Sequence, residues 1–336
     1  MKLILTSLVL LASLAGGIAG AEDTPTNALL VLAKQDGILA IVDPSNLKVI
    51  ARIPVGNDPH EVIASSDGKT AYVSNYGSGV YDTLAVVDLV AQKRVSFIDL
   101  GPLYGPHGLD FVNGKVWFTA ETAKAIASYD VATKQVDWIL GTGQNRTHMI
   151  YVSPDMNRIV TTNVSSGTVS IIEKTSGHPG PGGQMIADWN ETIVKVGNGS
   201  EGFDVTPGGK EIWVANAGDG TISIIDLVSK QVKQTLAADV PTANRLKFTP
   251  DGKLAFISTL RDPDVTVIDT AAKKKIKRIA VGHGSAGIVM QPDGARAFVS
   301  CSPDGYVAVI DLRSLEVTGR IEVGHEPDGL AWVKRN

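Results

Sequence analysis

Apolar and polar residues alternate at a period of two in short runs along this chain, and the runs come in fours. The clearest unit spans Phe203 to Leu236. Phe203-Asp204-Val205 stops at the turn Pro207-Gly208-Gly209, and Ile212 to Asn216 follows as a second run. Asn216-Ala217-Gly218-Asp219-Gly220 makes the next turn, Thr221 to Asp226 a third run, and Gln231 to Leu236 a fourth. Period-two runs of this length, punctuated by Gly, Pro and Asn, predict β-strands joined by tight turns. A lone four-stranded meander cannot hide both of its apolar faces, so the unit needs neighbours of its own kind.

The rest of the chain supplies them. An acidic residue closes the third run of each unit: Asp43, Asp88, Asp130, Glu173, Asp226, Asp269 and Asp311, spaced 45, 42, 43, 53, 43 and 42 residues apart. Four strands at a period near 43 predict the blade of a β-propeller, and seven anchors predict seven blades. The predicted fold is all-β, a seven-bladed β-propeller over 22–336. Its ends predict how the ring shuts. Leu330-Ala331-Trp332-Val333 matches a first strand with nothing after it, whereas Leu29-Leu30-Val31-Leu32 matches a second strand with nothing before it. Together they make one composite blade, which removes an unpaired inner edge.

Residues 1–21 read as a signal peptide: Lys2, then apolar Leu3 to Leu14, then Ala19-Gly20-Ala21 before Glu22. The expected residence is periplasmic or secreted, with no membrane span in the mature chain. A net charge of −4 disfavours a nucleic-acid partner, and a single cysteine means that no disulfide staples the fold. The unit with the 53-residue spacing carries about ten extra residues between Ser176 and Asp188, rich in Gly and Pro, which read as a loop between third and fourth strands.

The strings YVSN at 72–75, WVAN at 213–216 and FVSC at 298–301 resemble the YVTN family of β-propeller repeat proteins. So do the PDG turns at 250–252 and 292–294, and VGHEPDGL at 323–330. The resemblance covers the whole mature chain. It implies a seven-bladed propeller and leaves activity open, because propellers host many unrelated functions.

Strand direction sorts the loops onto two faces. The second-to-third and fourth-to-first loops share one face, and the PDG turns and the 176–188 insertion share the other. On the first face, the residue two before the first apolar residue of each innermost strand is, in ring order, His60, His107, His148, Glu201, Asn244, Ala286 and Asp328. Three imidazoles flanked by carboxylates are a normal ligand set for a divalent metal. The expected site is therefore a ring of His60, His107, His148, Glu201 and Asp328 holding zinc or copper at the mouth of the central channel. Asn244, Arg146, Arg245, Arg261 and Cys301 are further ligand-binding candidates on the same face, with Glu121 and Tyr76 as weaker ones.

No Cys-x-x-Cys-His is present, from which haem is excluded, and neither a Gly-x-Ser-x-Gly elbow nor a phosphate-binding Gly-x-x-x-x-Gly-Lys occurs. Three functions stay open. One is an exported binder of a small molecule or metal. The second is a metal-dependent lyase, hydrolase or oxidoreductase using the same ring, with Glu201 or Asp328 as ligand or general base. The third is a scaffold for a periplasmic protein.

Overall fold

Each strand quartet closes into an antiparallel sheet, and seven such sheets form the molecule. The computed structural model describes residues 23–335; the expected signal peptide over 1–21 lies outside the described residues. Two three-residue 3-10 turns, Gly77–Gly79 and Ser302–Asp304, are the only helical elements among the described residues. None of the described helices is long and apolar enough to cross a membrane.

The ring closes as the repeat register requires. Asn27–Ala33 pairs antiparallel with Pro327–Lys334, with Leu29 opposite Trp332 and Leu30 opposite Ala331. Two further strands, Ile38–Asp43 and Lys48–Pro54, complete this composite blade. We number the following blades 1 to 6 in chain order. The insertion falls between Thr168–Lys174 and Trp189–Lys195 of blade 3, the third and fourth strands. Rather than a bare loop it forms a small ribbon, His178–Pro179 against Met185–Ile186.

Buried apolar side chains fall into seven clusters, one for each blade-to-blade interface. Period-two strands explain this. Successive residues face opposite sides of a blade, so each sheet gives one row to the neighbour before it and one to the neighbour after it.

The innermost strands are Pro59–Ala64, Pro106–Val112, Thr147–Val152, Ser200–Val205, Ala243–Phe248, Ser285–Met290 and Pro327–Lys334. In blades 1 to 6 the pairing to the second strand breaks after the first residue and resumes at the fourth, as between Pro59–Asn75 and Val62–Val73. This bulge frees two residues per blade from the ladder. Their backbone groups still need partners.

A hydroxyl on the second strand supplies them. Thr119 Oγ1 accepts the Gly108 N–H at 2.9 Å and donates to the His148 carbonyl of the next blade at 2.6 Å. Ser74 does the same between Glu61 N–H and the His107 carbonyl, at 3.1 and 3.0 Å. Ser258 links Arg245 N–H to the Ala286 carbonyl, at 3.0 and 2.6 Å. Thr162 and Ser300 donate to the Glu201 and Asp328 carbonyls at 2.8 and 2.6 Å. The following Asn then ties the second strand to the third: Asn216 Nδ2 donates to Thr221 Oγ1 and Ser223 Oγ at 2.9 and 3.0 Å, and Asn163 does likewise to Thr168 and Ser170. The last two letters of the repeated strings are thus an inter-blade tie and an intra-blade tie.

The second freed residue of the bulge is Gly in four blades, at 108, 202, 287 and 329. A Cβ at any of them would press on the backbone of the next bulge, with Gly108 meeting the His148 carbonyl oxygen at 2.5 Å. Replacing Thr119 with Val keeps its volume but leaves a buried N–H and a buried carbonyl without partners. Thr119→Val should therefore lose about 1–3 kcal/mol in urea unfolding, with the fold retained.

Candidate functional site

The bulge decides where the ring residues point. His60, His107, His148, Glu201, Asn244, Ala286 and Asp328 are each the second residue of an inner strand, and all seven line one cavity of about 390 Å³ at the channel mouth. Lys34, Tyr76, Arg146, Arg245, Leu260, Ser302, Pro303 and Glu326 complete the wall. These come from the bulges and from the second-to-third and fourth-to-first loops.

Three imidazoles and a phenol stack along one side of it. The His60 and His107 ring centroids are 4.9 Å apart and those of His107 and His148 are 3.8 Å apart, with Tyr76 at 4.8 Å from His60 and 5.0 Å from His107. Behind them lies Glu121, buried, just past the end of the Lys115–Ala120 strand. Tyr76 donates its hydroxyl hydrogen to Glu121 Oε2 at 2.5 Å, and Glu121 Oε1 bonds His148 Nδ1. His148 Nε2 lies 3.0 Å from Glu201 Oε1. A buried chain Tyr76–Glu121–His148–Glu201 results.

Charge divides the imidazoles into two kinds. Burial opposes a charge on His148, but Glu201 and Glu121 on its two sides outweigh burial and push it up to about 9. Burial would raise Glu201, yet His148 and the guanidiniums of Arg146 and Arg245 bring it down to about 2. No carboxylate pairs with His107. Burial, and then the positive charge of His148, hold it well below the usual imidazole range, and its Nδ1 is buried without a hydrogen-bond partner. His107 is thus a neutral imidazole with a free donor atom beside a charged one. Donor atoms of His107, Glu121 and His148 lie within 4.8 Å of one another, close enough to share a metal ion.

The remaining charges are paired across the ring. Asp328 meets Lys34 Nζ at 3.3 Å and His60 Nε2 at 3.7 Å. Arg245 of blade 5 reaches across the channel to Glu61 of blade 1, both of them at bulge positions where four other blades carry Gly. Arg146 Nε stands 3.6 Å from Glu121 Oε2 and is exposed, at 44% of its side chain. Among these groups, the buried carboxylates Glu121 and Asp328 and the part-buried Glu61 and Glu201 are matched by Lys34, Arg146, Arg245 and the His148 imidazolium. Losing the His148 proton leaves one negative charge over, which a divalent cation would reverse.

The expected ring therefore shares one cavity, with Asn244, whose Oδ1 accepts from Arg245 at 3.1 Å. Two candidates lie elsewhere. Cys301 ends its strand as read from the sequence, but its side chain is fully buried in the apolar interface between blades 5 and 6, where burial pushes the thiol up to about 12. Arg261 is exposed, and its neighbour Leu260 is the residue that lines the mouth. Two participants were missed. Lys34 belongs to the composite blade, and Glu61 follows a ring position; its departure from Gly at the bulge was the signal available.

Fold and site together define a seven-bladed, all-β propeller with a polar, imidazole-rich channel mouth. Residues 210–331 match the family model described as Cytochrome D1 heme domain. No curated protein matches the chain. A functionally unknown protein from Desulfotomaculum acetoxidans is similar in structure, at 15% identity and TM-score 0.75, over 92% of this chain and 100% of that one. A candidate 6-phosphogluconolactonase from Bacteroides fragilis follows at 16% and 0.72, over 92% and 99%. The dihydro-heme d1 dehydrogenase NirN, in complex with DHE, matches at 17% and 0.63, over 92% and 76%. At these identities the structural matches speak for the fold.

The cofactor expectation, zinc or copper with haem excluded, is corrected by the family match over 210–331, which points to haem. The physical reason is simple. Cys-x-x-Cys-His serves covalent attachment, whereas a non-covalent haem needs an axial ligand and partners for its carboxylates. The donor chemistry fits: His107 offers a neutral, unpartnered imidazole, and Arg146 and Lys34 stand at the rim. The matched segment supplies Asn244, Arg245, Leu260, Ala286, Ser302, Pro303, Glu326 and Asp328 to the wall, but none of the three histidines.

The two large shifts set a pH dependence. His148 is raised in the folded state, so its contribution is complete below about 6.5 and is lost as pH rises through about 9. Glu201 is lowered, so its contribution is complete above about 4.5 and is lost as pH falls through about 2. Urea unfolding of the wild type should show declining stability between pH 6.5 and 9. His148→Gln should remove that alkaline decline.

Proposed function

We propose that this protein is an exported propeller of the YVTN repeat kind, with a leader over 1–21 and a single domain from 22, that holds a metal centre at its channel mouth and presents it to a small ligand. The observation that carries this reading is His107: a fully buried, neutral imidazole with an unpartnered Nδ1, stacked between two other histidines and within sharing distance of Glu121 and His148. A buried polar atom without a partner is costly, and a ligand that accepts its lone pair removes that cost. Periplasmic or secreted residence rests on the basic, apolar and small-residue order of the leader.

The metal centre takes one of two forms. A divalent cation held by His107, His148 and Glu121 would displace the His148 proton. The iron of a haem-type macrocycle is the second form, favoured by the family match over 210–331. There His107 would hold the iron, and haem would supply redox or ligand-binding chemistry. In either form Arg146, being exposed, is the group free to turn toward an incoming anion.

Titration with Co²⁺ and, separately, with haem, followed by visible absorption, tests the reading. One equivalent of one probe should bind, and His107→Ala should weaken it at least about tenfold while His178→Ala, on the exposed ribbon, leaves it unchanged. Co²⁺ binding should continue to strengthen as pH rises toward about 9, because the ion displaces the proton that His148 holds to that pH. A folded wild type that binds neither probe, or equal effects of the two substitutions, removes the metal centre.

A further inference from the structure

Thirteen large apolar side chains stand exposed among the described residues, and six of them, Val80, Tyr81, Val90, Val95, Phe97 and Tyr104, fall within 80–104. They gather on and beside Lys93–Asp99, the outermost strand of blade 1. This strand pairs on one side only, with Thr83–Asp88, and leaves its other edge open. An open edge carrying apolar side chains is a pairing template, which proteins usually guard with charge.

A bulge sets which side chains share a face. Ser96 pairs with Val86 and Arg94 with Val87, so Val95 is the extra residue. Arg94, Phe97 and Asp99 then stand on the same side, opposite Val87, Ala85 and Thr83. The Arg94 guanidinium confirms this by lying over the Phe97 ring, 4.2 Å from its centroid. Cation, aromatic ring and anion follow one another along a single row.

That row is complementary to itself when reversed. We propose that blade 1 is a self-association surface, in which the Lys93–Asp99 strands of two copies of this chain pair antiparallel about a two-fold axis at Phe97. The two Phe97 rings then meet, and Arg94 of each copy faces Asp99 of the other, twice by symmetry. Neither Arg94 nor Asp99 has an ion-pair partner within the chain among the described residues, and the Asp99 carboxylate is held only by the Gly101 N–H at 2.8 Å.

Five of the other six outer strands lack this pattern. Their residues equivalent to Phe97, opposite the third residue of the neighbouring strand, are Arg52, Ile139, Ile193, Thr235, Arg278 and Arg320. Arginine would meet its own copy with like charge at three of them. Ile139 is apolar but lies between Val136 and Gly141, with no opposite charges to set the register. A similar row, Glu191, Ile193 and Lys195, runs along the outer strand of blade 3; blade 1 is distinguished from it by an aromatic centre and by five further exposed apolar side chains within 80–104.

Sedimentation equilibrium of the full chain tests the proposal. The wild type should show a concentration-dependent dimer. Phe97→Lys should return it to monomer, and Arg94→Asp, which sets a carboxylate opposite Asp99, should raise the dissociation constant about tenfold. Arg94→Asp combined with Asp99→Arg should restore the wild-type constant, a result that mere loss of hydrophobicity or partial unfolding cannot produce. Because these side chains are exposed, thermal melting of each variant at monomeric concentration should match the wild type. A wild type that stays monomeric up to about 1 mM, a Phe97→Lys variant that still dimerises, or a double exchange that fails to restore the constant overturns the proposal.

Discussion

In five of the seven blades a single hydroxyl holds the architecture and the site in the same place. The bulge at the head of each inner strand turns the ring side chain into the channel, at the cost of freeing two residues from the ladder. Serine or threonine on the second strand accepts the freed N–H of its own blade and donates to the freed carbonyl of the next, as Thr119 does between Gly108 and His148. The tie is therefore both a blade-to-blade contact and the support of the ring residue. Blade 4, with Ala215 at that position, and the composite blade, with Leu32, lack it; after blade 4 the Asn244 carbonyl accepts from Arg245 at 3.2 Å, and blade 4 bonds blade 5 through Asp204 Oδ2 and the Phe248 N–H at 3.0 Å.

The mouth built on this frame is crowded with charge yet nearly balanced, and the balance is asymmetric. One arc, Tyr76–Glu121–His148–Glu201, is a closed chain in which every donor faces an acceptor. On the other side, Asp328 engages Lys34 and His60, and Arg245 spans the channel to Glu61. His107 sits beside the closed chain without belonging to it. Removing one member of a buried pair strands its partner, so the paired charges hold the mouth in shape while His107 stays available to whatever enters.

Much of this was legible in the sequence because the repeat makes position meaningful. His60, His107, His148, Glu201, Asn244 and Asp328 were found by register alone, and the structure places them on one wall because seven copies of one strand converge on one axis. Partner choice across the ring is not local. Nothing in the order of residues says that Glu61 meets Arg245, 184 positions away, or that Glu121 reaches past the end of its strand to His148. For the same reason nothing in the order of residues separates His107 from His148, whereas the two carboxylates beside His148 make it the charged member of that pair and leave His107 neutral. Cys301 shows the opposite failure: its place in the repeat was read correctly, but strand alternation turns its side chain into the interface between blades.

The composite blade has a consequence for how the molecule is made. Its seam joins Asn27 to Lys334 and Leu30 to Ala331, the most distant strand pairings in sequence among the described residues, so it is the last contact that a growing chain can form. Until Pro327–Lys334 arrives, six finished blades form an open arc with an uncovered apolar flank at each end. Folding rates fall as contacts become less local, and open β-edges in such intermediates favour aggregation. The slow step on the way to the native ring is thus the capture of one eight-residue strand, and the time spent waiting for it is when this chain most needs a chaperone.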